Sequence, residues 1–125
     1  MPTHHAEYAD VLWEEAIAAG PTGPAEVAGE LVRRVEEGDM PAIALLLSRR
    51  VIGTVDPEVI RRTFAGSREE IAARRGVRGI NVLACREGRW AADMTLAILY
   101  GDGTVDTEVV ALVREYGRWR VDLTR

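Results

Sequence analysis

Residues 77–123 read VRGINVLACREGRWAADMTLAILYGDGTVDTEVVALVREYGRWRVDL, and the reading of this stretch decides the fold. Four strand-like runs, 77–86, 89–100, 104–115 and 118–123, are separated by Glu87-Gly88, Gly101-Asp102-Gly103 and Tyr116-Gly117. Each break is short and carries glycine, which supplies the positive φ of a tight reversal. A parallel crossover needs a dozen or more residues, so these strands are antiparallel neighbours in a meander. In the second run Trp90, Ala92, Met94, Leu96, Ile98 and Tyr100 share one face, and Ala91, Asp93, Thr95, Ala97 and Leu99 share the other. The last run sets Trp119, Val121 and Leu123 against Arg118, Arg120 and Asp122.

Upstream the pattern changes to helical. Residues 4–19 read as a first helix, ended by Gly20-Pro21-Thr22-Gly23. Pro24 suits the first turn of a second helix, 24–37, with Val27, Leu31 and Val35 as its buried stripe and Glu30–Arg34 as a favourable i,i+4 pair. Asp39 is placed to cap a third helix running to about Leu47, with Ile43, Leu46 and Leu47 inward. Residues 51–55 are β-branched and predict a short strand, and Asp56-Pro57 a turn. Residues 59–64 suit either a strand or a helical turn. Ser67 and Glu70 have capping-box spacing, which predicts a helix from Ser67 to Arg75 stopped by Gly76. We therefore expect an α+β fold with N-terminal helices packed on a curved antiparallel sheet. Residues 1–23 form a helix and linker and 24–125 a single compact domain.

Composition narrows the chemistry. With 125 residues, 47% hydrophobic and 29% charged, the chain is of ordinary globular character. Its net charge of −4 and its scattered arginine pairs argue against a nucleic-acid-binding face. No apolar run has membrane-spanning length, no signal peptide is visible, and the lone Cys85 excludes an internal disulfide; a cytoplasmic location is expected. All 16 Lys+Arg positions are arginine, which excludes a lysine Schiff base and a phosphate-loop lysine. The two histidines, His4 and His5, are adjacent, so a zinc site or a histidine-based catalytic pair would need that end of the chain. We expect no metal and no cofactor; carboxylates, tyrosine, arginine or water would carry any catalysis.

The order of elements resembles the nuclear transport factor 2-like superfamily, which includes steroid isomerases and SnoaL-type polyketide cyclases. The carrying residues are Glu37-Gly38-Asp39 followed by Ile43, then Val55-Asp56-Pro57, then 64–71 (FAGSREEI), and the closing Gly117-Arg118-Trp119-Arg120-Val121. The resemblance covers roughly 24–123. It implies that 59–64 forms a hairpin with 51–55, that a pocket lies between helices and sheet, and that the convex sheet face pairs two subunits.

Asp56 matches the place at which a steroid isomerase carries its general base, an aspartate before proline; read locally, it is simply a turn residue. The isomerase's hydrogen-bond donors would fall near Leu31 and Val109, neither of which can donate, and this argues against steroid isomerisation itself. Asp93 is a second candidate acid or base, or else a polar contact on the convex face. Trp13, Trp90, Met94 and Trp119, with Tyr100, line an apolar ligand site or serve as core. His4, His5, Tyr8 and Trp13 close the cone's mouth or lie on a surface helix. The expected partners are a small apolar molecule and a second copy of the chain, with no nucleic acid and no membrane. The expected activity is metal-free isomerisation or cyclisation by a carboxylate base; the alternative is a noncatalytic binding or assembly module.

Overall fold

The computed structural model describes residues 23–123. The expected helix at 4–19, with His4, His5, Tyr8 and Trp13, lies outside the described residues. Four helices, α1 (Pro24–Glu37), α2 (Met40–Leu46), α3 (Arg49–Thr54) and α4 (Pro57–Ala73), precede four strands, β1 (Val77–Glu87), β2 (Ala91–Tyr100), β3 (Val105–Glu115) and β4 (Arg118–Val121). The sheet is an antiparallel meander of order β1-β2-β3-β4. Register shifts between Val77 and Gly79 and between Val82 and Ala84 bend the edge strand β1.

Strand parity is as the alternation predicts. Ala92, Met94, Leu96, Ile98 and Tyr100 are buried, whereas Ala91, Asp93, Thr95, Ala97 and Leu99 are partly or fully exposed. Helix α1 lays Val27, Ala28, Leu31, Val32 and Val35 on the buried face, where Leu112, Trp119 and Val121 continue the core. The α1 helix ends at Gly38, whose left-handed φ of 71° lets its N–H and that of Asp39 bond back to the Val35 and Arg34 carbonyls. Asp39 caps α2 by accepting from the Ala42 N–H at 3.2 Å.

Two expectations are overturned between α2 and β1. Residues 51–55 are not a strand but most of α3 and its C-terminal cap. Ser48, fully buried, accepts from the Val51 N–H at 3.2 Å and donates to Asp122 Oδ1 at 3.0 Å. The extended pairing here is limited to one parallel bridge, Leu47 with Val121, after which the cap turns the chain helical. Local β-propensity yields to this tertiary anchor. Residues 59–64 are likewise not half of a hairpin but part of α4. That helix starts at Pro57 under an Asp56 cap and buries Ile60, Phe64 and Ile71 along one side. Ser67 is therefore inside α4 instead of capping it, and its hydroxyl donates to the Thr63 carbonyl at 3.2 Å.

The α4–β1 connection is clamped to the β2–β3 turn. Gly101 N–H donates to the Gly76 carbonyl at 2.9 Å, and Asp102 N–H to the Arg74 carbonyl at 3.0 Å. A Cβ on Gly101 would collide with the Arg75 carbonyl, so this close approach requires glycine. On the α1 side, Glu36 Oε2 accepts from the Val77 N–H at 2.7 Å. These contacts fix one end of the sheet beneath α1 and α4.

Candidate functional site

A hollow of about 170 Å³ opens at this clamped end, between α1, α4 and the buried face of β2 and β3. Its walls are apolar: Leu31, Val32 and Val35 from α1, Phe64 and Ile71 from α4, Ile98 from β2 and Val110 from β3. Four polar side chains join them, Ser67, Glu70, Tyr100 and Glu108. Helical spacing puts Ser67, Glu70 and Ile71 on neighbouring turns of α4. The pairing of Glu108 with Leu96 and of Val110 with Met94 puts both β3 side chains on the helix-covered face of the sheet.

Tyr100 is the most enclosed polar group of the site, 6% exposed. Its hydroxyl makes no hydrogen bond to a described residue. Tyr100 is one of the residues that line the hollow. Burial pushes the phenol above its ordinary value. The charges of Asp106, Glu108 and Glu70 add to this, while Arg74 opposes it. The phenol is therefore a neutral donor and acceptor at physiological pH. The Arg74 guanidinium lies 4.8 Å from the Tyr100 ring centroid and donates to Asp106 Oδ2 at 2.6 Å. Glu70 and Glu108 are exposed at the rim and are in no ion pair with a described residue.

Two further depressions, each of about 210 Å³, differ in character. One, lined by Glu30, Arg34, Leu45, Arg118 and Arg120, is a surface trough beside an internally paired Glu30–Arg34 couple. The other, lined by Gly38, Met40, Ile43, Arg61 and Arg68 among others, is bordered by the Arg68 side chain, which packs on Gly38 and donates to the Glu36 carbonyl at 3.4 Å. Of these three, the first hollow is the one lined by Ile98, Tyr100 and Val110 of the sheet's inner face.

The residues singled out in the sequence do not converge there. Asp56 is an exposed helix cap, its Oδ1 accepting from the Glu58 N–H at 2.8 Å; it stands outside the apolar cavity its proposed role requires. Asp93 lies on the face away from the helices, opposite Arg86 in β1 and Ala111 in β3. Trp90 precedes β2, is 64% exposed and lies under the Arg89 guanidinium, so it does not continue the buried stripe. Met94 and Trp119 are core residues, at 0% and 5% exposure, that do not line the hollow. Trp13 is outside the described residues. Tyr100 does line it, whereas Glu70 and Glu108 were not anticipated. Strand parity pointed to Glu108, since it continues the inward series of Leu112 and Val110. Cys85 is exposed on the edge strand.

No group of three or more His, Cys, Asp or Glu side chains among the described residues is placed to hold a metal ion. No described helix is long and apolar enough to cross a membrane.

The fold is nuclear transport factor 2-like. The chain is similar to a solved structure from Campylobacter jejuni, described provisionally as an NTF2-like transpeptidase. The match has a TM-score of 0.73 at 15% identity and covers 82% of this chain and 100% of the other. No protein-family model and no curated protein matches the chain.

Proposed function

We propose that this chain is a small-molecule-binding protein whose ligand occupies the hollow between α1, α4 and the sheet. One observation carries this reading: an apolar recess opens between the layers, with the buried Tyr100 among its lining residues. Apolar walls with a few placed polar groups are the usual make-up of a ligand site. The volume of about 170 Å³ suits a guest of roughly one ring, since an apolar cavity of about 150 Å³ can hold benzene. Any proton transfer in this space would fall to Tyr100 with Glu70 or Glu108. Both carboxylates stand at the solvent rim, which suits holding a ligand better than acting as a buried base. We do not extend peptide transfer from the Campylobacter protein to this chain. Ser67, the serine of the hollow's lining, already donates its proton to the Thr63 carbonyl, and among the described residues there is no histidine or lysine to activate it.

The test is a thermal-shift screen of small aromatic fragments on the wild type and on Val110→Phe, which fills the recess. Fragments that stabilise the wild type and not the variant support the reading. Equal shifts in both proteins would place binding elsewhere.

A second reading, association through the outer sheet face, is favoured by Val105 and Val109, which are 57% and 59% exposed on the side opposite the described helices. It is compatible with the first. Light scattering on the wild type and Val109→Arg decides it: a dimer that the substitution converts to monomer supports it, and a monomeric wild type excludes it.

A further inference from the structure

Strand β1 is an edge of the described sheet, 11 residues long, and every position from 81 to 87 is exposed. The opposite edge strand, β4, has four residues and is bridged by Leu47. A long uncovered edge presents unpaired backbone N–H and C=O groups to another strand. We propose that β1 pairs antiparallel with β1 of a second copy of this chain, joining two four-stranded sheets into one.

The register shift between Val82 and Ala84 specifies the pairing. Before it, Ile80 and Val82 stand opposite the buried Ile98 and Leu96; after it, Cys85 and Glu87 stand opposite the buried Met94 and Ala92. Even-numbered residues thus hold the inner face of β1 up to Val82, and odd-numbered ones hold it from Leu83 on. Residues directly opposite one another in an antiparallel pair share a face. In an unbroken strand Val82 could not oppose Leu83 of a second copy, because sequence neighbours point to opposite faces. The bulge permits that pairing, and it makes the facing pattern of β1 symmetric about the Val82–Leu83 bond. Every pair then matches in face: Val82 with Leu83, Ile80 with Cys85 and Arg78 with Glu87 inside, and Asn81 with Ala84 outside.

The side-chain chemistry matches in the same register. Val82 and Leu83, 48% and 59% exposed, would cover each other at the centre. An Arg78–Glu87 pair would close each end, and neither residue is in an ion pair with a described residue. This edge is separate from the outer face that carries Val105 and Val109, and its pairing does not depend on the hollow.

Sedimentation velocity over a concentration series at low salt reads the association. The wild type should dimerise, and Val109→Arg should leave that dimer intact. Arg78→Glu and Glu87→Arg each set like charges against one another at both ends and should weaken the dimer about ten-fold; the Arg78→Glu/Glu87→Arg double variant should restore it. Mild oxidation of Ile80→Cys should link two chains through Cys85 of the second copy, since opposed Cα atoms lie within disulfide range, and adding Cys85→Ser should abolish the link. Within one chain these two positions are too far apart along the strand to join. The proposal is overturned by a wild type that stays monomeric, a dimer lost in Val109→Arg, or single charge variants that associate as the wild type does. A double variant no better than the singles, or an Ile80→Cys chain that forms no Cys85-dependent link, overturns it equally. None of these outcomes bears on the hollow, which fragment binding tests separately.

Discussion

Arg74, at the end of α4, donates to Asp106 in β3 at 2.6 Å and so ties the last helix to the sheet beside the mouth of the hollow. The same guanidinium covers the Tyr100 ring. Both partners of the ion pair are more than a third exposed, so solvent screens most of the attraction. The ring contact adds a cation–π component of similar size. Arg74→Ala should therefore cost about 1 kcal/mol in urea unfolding, and a double-mutant cycle with Asp106→Ala should assign less than half of that to the ion pair.

Tyr100 makes alkaline stability a reporter on the hollow. Its folded-state pKa is raised above the ordinary phenol value of 10.0, so below that pH both folded and unfolded chains hold the proton and the phenol adds no pH dependence. Above it the unfolded chain ionises first, and stability falls until the folded phenol also titrates. The chain has no lysine to titrate in the same range. Stability of the wild type should decline above pH 10, and Tyr100→Phe should flatten that decline in denaturant melts at a series of pH values.

The junction of α3 with β4 depends on Ser48. Its fully buried hydroxyl serves the Val51 N–H and Asp122, while Arg50 donates to both Asp122 oxygens at 2.8 Å. Ser48→Ala removes a helix cap and a buried hydrogen bond, which should destabilise the fold by about 1–2 kcal/mol. Chemical denaturation measures the loss. Arg50→Ala, acting on an exposed group, should change stability by less.

Gly66 tests the extent of α4. It sits in the helix interior with open space around its missing Cβ. Gly66→Ala should stabilise the protein by roughly 0.5–1 kcal/mol, as expected for an exposed helical site. A loop at this position, as the capping-box reading of Ser67 implies, would give little or no gain.

The sheet is legible in the sequence because its evidence is local. Glycine marks each reversal, and alternation such as Trp119/Arg120/Val121 shows which side is buried. The helix at 24–37 and the Asp39 cap are legible for the same reason. The conformation of 51–64 is not local. It is set by Ser48 meeting Asp122, 74 positions away, and no window around Val51 and Ile52 contains that contact. The site was half visible. Tyr100 follows from parity, and Glu108 follows from the same parity applied to β3. Glu70 was hidden by the capping-box pattern, which gave it a different role. Asp56 reads two ways because an aspartate before proline serves equally as a helix cap, and it caps α4 here.

The central claim is that the space between α1, α4 and the sheet admits a guest. Intermolecular NOEs between a bound aromatic fragment and selectively labelled methyl groups measure this directly. The account predicts contacts to Leu31, Val35, Ile71, Ile98 and Val110, and their loss in Val110→Phe. Contacts confined to Val105 and Val109 on the outer face, or none to any of the five inner methyl-bearing residues, would contradict it.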